Sequence, residues 1–322
     1  MKKRMMRITS GLVFGGTLLC LLPSIGLCQD CSALLFAGGP QGTLYPSIQA
    51  AINSASSFAT IVVTGTCSEN LMVNESKNYI SLTGPATISG TGPAPTISII
   101  GKGITVQNLT INGGGDGIQV VRGGTAFIEN NSIETGGNGI ILAFNSYAHI
   151  RGNIIQNNLR DGIVVADNSF ARIGIRSNAD VLAIPNTIQG NSYGVTVARS
   201  SSAQIIGNTI SSNTEDGVRV TKVSQADISS NTIDENGRNG ILVEQNSGVN
   251  LGRDEGETIF DSPNTSVVGN GAYGLSCDTG GYADGRLGTL DGVNRKAASR
   301  FTKYCVDSLV HESHRYPDSH SR

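Results

Sequence analysis

The sequence predicts an all-β fold, a single-stranded right-handed parallel β-helix with a short N-terminal capping helix. Three observations predict it: a glycine-aliphatic pair that repeats along the chain, three short alternating strands in each repeat, and asparagines at fixed positions between the strands. The repeating pairs are Gly117-Ile118, Gly139-Ile140, Gly162-Ile163, Gly194-Val195, Gly217-Val218, Gly240-Ile241 and Gly274-Leu275.

The steps between these glycines give the period and locate two insertions. They are 22, 23, 32, 23, 23 and 34 residues long, so four of the six define one coil. The two long steps fit one coil plus a loop of roughly ten residues. We expect these loops near 176–184 and 253–261, where they could wall a binding cleft.

The three strands of each repeat carry apolar residues two positions apart, which is the period of a strand and not of a helix. The first strand follows the glycine, the second reads Ser-x-Ala-x-Ile, and the third reads Asn-x-Ile. Because coils stack about 4.8 Å apart, the inward side chains should form continuous aliphatic columns. The inward residues predicted for the third strand are Ile133, Ile155, Ile188, Ile210, Ile233 and, slightly displaced, Val267.

Two columns of asparagine are expected at the turns. Asparagine tolerates left-handed backbone angles, and its amide both donates and accepts, so stacked copies can hydrogen-bond along the solenoid. We interpret them as structural and not as ligands. The columns are Asn131, Asn153, Asn186, Asn208, Asn231 and Asn264, and then Asn158, Asn191, Asn213, Asn236 and Asn270.

The two ends of the solenoid differ from its middle. Residues 45–56 carry Ile48, Ala51, Ile52 and Ala55 at helical spacing, which predicts a short helix over the first coil. We expect one β-helix domain over 29–310, with regular coils from about 104 to 277. Beyond Cys277 the pattern is expected to dissolve into a glycine-rich loop, and the polar segment 311–322 is expected to be a disordered tail.

An export signal is predicted over residues 1–28. Four basic residues precede an apolar run from Gly11 to Leu22, followed by Pro23 and small residues. Cleavage after Cys28 would give a secreted or periplasmic protein without a transmembrane segment. A lipid-anchored form is the less favoured alternative, since leucine precedes each candidate cysteine (Leu19, Leu27).

Four cysteines remain after the signal, which in an oxidising compartment indicates two disulfides. We pair Cys31 with Cys67 and Cys277 with Cys305, because both bonds would staple terminal coils, which have a neighbour on one side only. The two other connectivities stay open on the sequence alone.

Composition bounds the possible partners. Lys and Arg number 23 against 25 Asp and Glu, and only 15% of the residues are charged. With no basic stripe for phosphate backbones, nucleic acid is excluded as a partner. We expect a monomer. The absence of tryptophan and the few aromatic residues leave few platforms for stacking on sugar rings.

These features resemble the pectate-lyase-like superfamily of right-handed β-helix repeat proteins. The resemblance covers about Gly42 to Cys277 and rests on the helical segment SIQAAINSA, the strand TIVVTGTCSEN and repeats such as GNTISSNTEDGVRV. It implies an exported protein, often one that handles acidic polysaccharides as a lyase, pectin esterase, uronate epimerase or depolymerase. Alginate epimerases of this fold carry Asp-Pro-His-Asp where this chain has DGIVVADNS, which lacks the histidine.

Candidate catalytic residues flank the first strand. Asp161 and Asp216 precede their glycines, Arg219 points outward from its strand, and Arg199 follows its strand. Paired carboxylates with an arginine could bind Ca²⁺ and a uronate, or abstract a proton beside its carboxylate. The alternative is that Asp-Gly serves the turn and the charges solvate the surface. His311 and His314 have metal-ligand spacing but no third ligand nearby.

The function we expect is therefore an exported β-helix repeat protein that binds carbohydrate or another surface polymer along the solenoid. No catalytic motif is identified and no cofactor is expected, with Ca²⁺ as the one candidate ion. One alternative is a lyase or epimerase acting on polyuronates such as pectate or alginate. Another is a structural or adhesive surface protein.

Overall fold

A computed structural model describes residues 31–252, 262–294, 305, 309 and 310. The predicted signal peptide 1–28, the predicted loop 253–261 and the predicted tail 311–322 lie outside the described residues. The described chain is a parallel β-helix with three strands per coil, and the predicted fold class is confirmed.

The first strand column is a parallel sheet of ten short strands, one from each coil. The residues after the repeating glycines form it, and Ile140 pairs with Ile118 on one side and Ile163 on the other. Its strands are Leu71–Val73, Ile97–Ile99, Ile118–Val120, Ile140–Leu142, Ile163–Val165, Val195–Val197, Val218–Val220, Ile241–Val243, Leu275–Cys277 and Val293–Asn294.

The second and third strand columns belong to one continuous sheet of 18 strands. The long strands Ser81–Gly90 and Ile104–Gly113 join them, because each runs through both columns. The second column contains Thr125–Glu129, Tyr147–Arg151, Phe170–Ile173, Ser202–Ile206, Gln225–Ser229, Gly248–Leu251, Tyr282–Arg286 and Leu309–Val310. The third contains Ser132–Thr135, Ile154–Gln156, Thr187–Gln189, Thr209–Ser211 and Thr232–Asp234.

The first coil is closed by antiparallel strands and a helix. Cys31–Phe36 pairs antiparallel with both Thr43–Tyr45 and Thr60–Cys67. The predicted helix is present over Ile48–Ser54, where Ser47 caps the N-terminus by accepting from the amide of Ala50. Its residues Ile48, Ala51 and Ile52 are buried, so the helix covers the open end of the aliphatic columns.

The main core is a continuous cluster along the solenoid axis, built from the predicted inward columns, and Ile175 and Ile206 form a small separate cluster. Ile133, Ile155, Ile188, Ile210 and Ile233 are all fully buried. Each such side chain contributes roughly 2 to 3 kcal/mol through burial alone. Because every coil packs on the next, the fold is stabilised repeat by repeat.

Both asparagine columns form the expected ladders. In the first, each side-chain amide donates to the carbonyl oxygen of the asparagine one coil further on, over 2.8 to 3.1 Å. The second, from Asn158 to Asn270, has the same geometry and ends on the carboxylate of Asp291. A serine ladder lies directly before the second strand column. In it, the backbone amide of each serine donates to the side-chain hydroxyl of the serine one coil further on. Its members are Ser146, Ser169, Ser201, Ser224 and Ser247.

Two expectations about the last coils are wrong. Val267 is 86% exposed, because the position two residues after Asn264, which faces inward in this column, is Ser266. The register is fixed by Thr265, which bridges to Thr232. The repeat also does not dissolve after Cys277, since Tyr282–Arg286 and Val293–Asn294 continue the second and first columns.

The structure contains the two disulfides that the sequence predicts. Cys31 is bonded to Cys67, with the Cα atoms 4.9 Å apart, and Cys277 is bonded to Cys305, with the Cα atoms 5.7 Å apart. The first joins the two antiparallel strands that close the N-terminal coil. Within the described residues, no helix has the length and apolar content needed to cross a bilayer.

Candidate functional site

A cleft of about 270 Å³ lies on the outer face of the first strand column, over its later coils. It is built from the strands Val218–Val220, Ile241–Val243 and Leu275–Cys277 and the turns before and after them. Its lining includes Tyr193, Asp216, Arg219, Glu244, Tyr273 and Asp278.

Arg219 forms the centre of this cleft. Val218 and Val220 are fully buried on either side of it, so the alternation of the strand turns Arg219 outward. Its Nε and Nη2 atoms donate to one carboxylate oxygen of Glu244, over 2.9 and 2.5 Å. Its guanidinium lies over the ring of Tyr193, 5.4 Å from the centroid. Burial lowers the pKa of Arg219, but the hydrogen bond and charge of Glu244 outweigh it, so the net shift is upward.

Asp216 holds the turn that precedes Arg219. The residue is 0% exposed, and its Oδ1 accepts from the backbone amide and side-chain amide of Asn239, over 3.0 and 2.8 Å. Its Oδ2 is buried without a hydrogen-bond partner among the described residues. Burial raises the pKa of Asp216, against the bonds from Asn239 and the charges of Arg238 and Arg219.

The same turn chemistry recurs in earlier coils. The Oδ1 of Asp116 accepts from the backbone and side-chain amides of Asn138, over 2.7 and 2.8 Å. Asn138 in turn accepts from the backbone amide of Asp161 over 3.2 Å. The position before the repeating glycine is therefore a fourth polar column, after the two asparagine ladders and the serine ladder, and its carboxylates and amides link adjacent coils.

Asp161 belongs to this column and is partly exposed. Burial raises its pKa, while the Thr196 hydroxyl and the positive charges of Arg219 and Arg160 lower it. Arg219 thus acts electrostatically on both Asp161 and Asp216. Of the predicted residues, these three are brought together.

Arg199 is placed elsewhere. It follows its strand, whereas Asp161 and Asp216 precede theirs, so it lies at the opposite edge of the first column. Its guanidinium is 59% exposed and pairs with Asp167 over 3.5 Å. A pair of this kind contributes little to stability.

Several residues that line the cleft were not predicted from the sequence. Tyr193 and Tyr273 stand directly before Gly194 and Gly274, in the same column as Asp161 and Asp216. Reading every coil at that position, and not only the acidic ones, would have found them. Glu244 and Asp278 directly follow their strands and could have been found in the same way.

The fold defines this chain as a right-handed parallel β-helix protein with a polar cleft on its first strand column. Residues 68–279 match the family described as periplasmic copper-binding protein (NosD), and the chain belongs to that family. The family description confirms the expected secreted or periplasmic location. None of the curated proteins matches the chain in sequence.

Solved structures with a similar chain path include two mutant forms of the periplasmic alginate epimerase AlgG. The single mutant is 12% identical to this chain, with a TM-score of 0.38, and the match covers 83% of this chain and 82% of the epimerase chain. The double mutant is 14% identical, with a TM-score of 0.39, and the match covers 84% of this chain and 81% of the epimerase chain. The A-module of the Azotobacter vinelandii mannuronan C-5 epimerase AlgE4 is 13% identical, with a TM-score of 0.38, and the match covers 77% of this chain and 88% of that module.

The described residues do not fit a copper centre. Copper in proteins is held by clustered imidazole, thiolate and thioether ligands. Here the four described cysteines are in disulfides, and the one described histidine, His149, bonds to Tyr147. Within 31–252 and 262–294, no three His, Cys, Asp or Glu side chains are grouped to hold a metal ion. His311 and His314 lie outside the described residues.

Proposed function

We propose that this periplasmic protein binds an uncharged, hydroxyl-rich carbohydrate chain in the cleft, without cleaving it. The observation that carries the proposal is the combination of two tyrosine rings, Tyr193 and Tyr273, with fixed polar groups around Arg219. Tyrosine offers an apolar ring surface and a polar hydroxyl, which together suit a sugar. Amide, guanidinium and carboxylate groups supply donors and acceptors for hydroxyl groups.

The charges of the cleft favour a neutral polymer over a polyuronate. Arg219 is paired with Glu244 over 2.5 Å, and Arg238 with Glu215 over 3.2 Å. Both guanidiniums are therefore already compensated, and Asp278 adds a further negative charge to the lining. Uronate carboxylates would have to displace these pairs, whereas hydroxyl groups can bond to the pairs as they stand.

The lyase or epimerase alternative requires a carboxylate that reaches the substrate. The raised pKa of Asp216 and the nearby Arg219 speak for it. However, Asp216 is fully buried and holds the turn through Asn239, so it serves as a positioning residue for the cleft. Asp161 is the more accessible of the two carboxyls, and an enzymatic role would rest on it.

The proposal predicts that Tyr193→Ala and Tyr273→Ala each weaken binding of a neutral polysaccharide by about tenfold, since each removes a ring from the cleft. Affinity gel electrophoresis of residues 29–322 in gels containing neutral glucan, mannan or galactan measures this. Tyr282→Ala is the matched control, because Tyr282 is an exposed tyrosine on the second column and should leave retention unchanged.

Retention by a neutral polymer that both cleft variants reduce would support the proposal. Retention only by pectate or alginate, abolished by salt, would overturn it in favour of a polyuronate ligand. If no polymer retards the wild-type protein, the proposal fails and the structural or adhesive alternative takes its place.

A further inference from the structure

A second cluster of functional side chains lies on the outer face of the second strand column, away from the cleft. Phe127, His149 and Arg172 occupy the same outward position in three successive coils. Tyr147 and Phe170 form a parallel stack beside them, with ring centroids 5.5 Å apart. We call these five residues, together with Arg176, the His149 cluster.

His149 is held as a neutral imidazole at the centre of this cluster. Its ring is stacked on Phe127, with centroids 4.9 Å apart, and its Nε2 is 2.8 Å from the hydroxyl of Tyr147. The residue is 7% exposed, and its Nδ1 has no hydrogen-bond partner among the described residues. Burial, followed by the positive charges of Arg172, Arg176 and Arg151, lowers the pKa of His149 to about 4, while Glu129 raises it slightly.

Two of the three arginines around His149 have no carboxylate partner within the described chain. Arg151 pairs with Glu129 over 2.8 Å. Arg172 instead donates to the side-chain oxygen of Gln204 and to the backbone carbonyl of Arg176, each over 3.0 Å. These bonds fix Arg172 without neutralising it.

Arg176 is placed by the loop that contains it. Arg176 follows the strand Phe170–Ile173, but its guanidinium lies over the ring of Phe127, which belongs to the coil two positions earlier. The guanidinium carbon is 5.1 Å from the centroid of that ring. The carboxylate of Asp180 accepts from the backbone amides of Arg176 and Ser177 and from the Ser177 hydroxyl. Asp180 therefore holds the backbone turn at Arg176 and Ser177 within the loop, and Arg176 is exposed to solvent.

We propose that the His149 cluster binds an oxyanion, a phosphate, sulfate or sugar carboxylate group, between Arg172, Arg176 and the Nδ1 of His149. Two uncompensated guanidiniums next to a buried, unsatisfied ring nitrogen are the arrangement that an anionic oxygen would complete. In the tautomer in which Tyr147 donates to Nε2, the neutral imidazole carries its proton on Nδ1, from which it would donate to the anion. This site does not depend on the saccharide proposed for the cleft.

The test follows the His149 side chain by NMR in residues 29–322, with His149→Gln assigning its resonance. Titration with sodium phosphate, sodium sulfate or sodium galacturonate is expected to shift the His149 resonances and to raise its pKa, because a bound anion stabilises the charged ring. The three salts distinguish free phosphate or sulfate from a sugar acid. Sodium chloride at equal ionic strength is the reference and should give no comparable shift.

Arg176→Gln and Arg172→Gln are each expected to weaken this binding about tenfold, as expected for loss of one charge-assisted contact. Arg199→Gln is the matched control, since Arg199 is an exposed arginine at another edge of the solenoid. Arg176→Gln alters an exposed side chain and should fold normally. If the His149 resonances respond to none of the three oxyanions, or respond equally to chloride, the proposal is overturned.

Discussion

Asn208→Ala is expected to lower the free energy of unfolding by about 4 kcal/mol, because several buried groups lose their hydrogen bonds at once. The side-chain amide of Asn208 donates to the carbonyls of Ile173 and Ile206 and to the side chain of Asn231. Its Oδ1 accepts from the backbone and side-chain amides of Asn186. Alanine bonds to none of these partners, and the residue is only 2% exposed, so the groups left behind are buried.

Urea unfolding followed by circular dichroism measures the loss. Asn178→Ala is the matched control, because Asn178 lies exposed in the loop at 176–184 and its substitution should stay within about 0.5 kcal/mol of wild type. Equal stability of the two variants would show that the ladder is not a stabilising element.

Removing the N-terminal disulfide should have an effect of similar size. The bond between Cys31 and Cys67 closes a loop with a sequence separation of 36, for which loss of the cross-link costs about 4 kcal/mol in the unfolded-chain entropy account. The double variant Cys31→Ala/Cys67→Ala avoids an unpaired thiol. We expect a lower thermal midpoint, and early loss of the first coil in hydrogen exchange, because the terminal coil has only one neighbour.

Thr64→Ala provides the comparison for this variant. The hydroxyls of Thr64 and Ser32 join the same two strands through an exposed hydrogen bond of 2.8 Å, which should contribute at most about 0.5 kcal/mol. If the double cysteine variant has the same thermal midpoint as Thr64→Ala, and not a much lower one, the disulfide does not stabilise the first coil.

The fold was predictable because each coil repeats the same pattern of glycine, apolar and asparagine positions. The glycine-aliphatic pairs indicated the first column, and the asparagines indicated both ladders, since amides stacked at constant spacing can donate to and accept from one another. Val267 shows the limit of this pattern, because the inward position of its coil is the polar Ser266, and the neighbouring apolar residue was assigned inward in its place. The strands after Cys277 were missed for a related reason, as their sequence is too rich in glycine to display alternation.

The candidate site was predictable only in part. Asp161, Asp216 and Arg219 stand out because they are charged residues beside a repeating glycine. A side chain that follows its strand, such as Arg199, lies at the opposite edge of the first column from one that precedes its strand, such as Asp216. The partners of Arg219 could not be foreseen, because they depend on side-chain conformations between neighbouring coils.

The His149 cluster was not predicted at all. His149 occurs within the repeat Ser-x-Ala-x-Ile, at the variable outward position, and nothing in the sequence marks it. Its surroundings come from Phe127 one coil before, Arg172 one coil after, and Arg176 in an insertion that folds back over them.

The measurement that tests the central claim most directly is turnover of the polymers that the protein contacts. Residues 29–322 would be incubated with neutral polysaccharides, pectate and alginate, with and without Ca²⁺, while ultraviolet absorbance reports unsaturated product and gel filtration reports chain length. The account predicts that the neutral polymer that retards the protein in gels keeps its chain length, and that no polymer yields an absorbing product. Absorbing product from pectate or alginate that disappears in Asp161→Ala, or shortened neutral chains, would contradict it and make the cleft an active site.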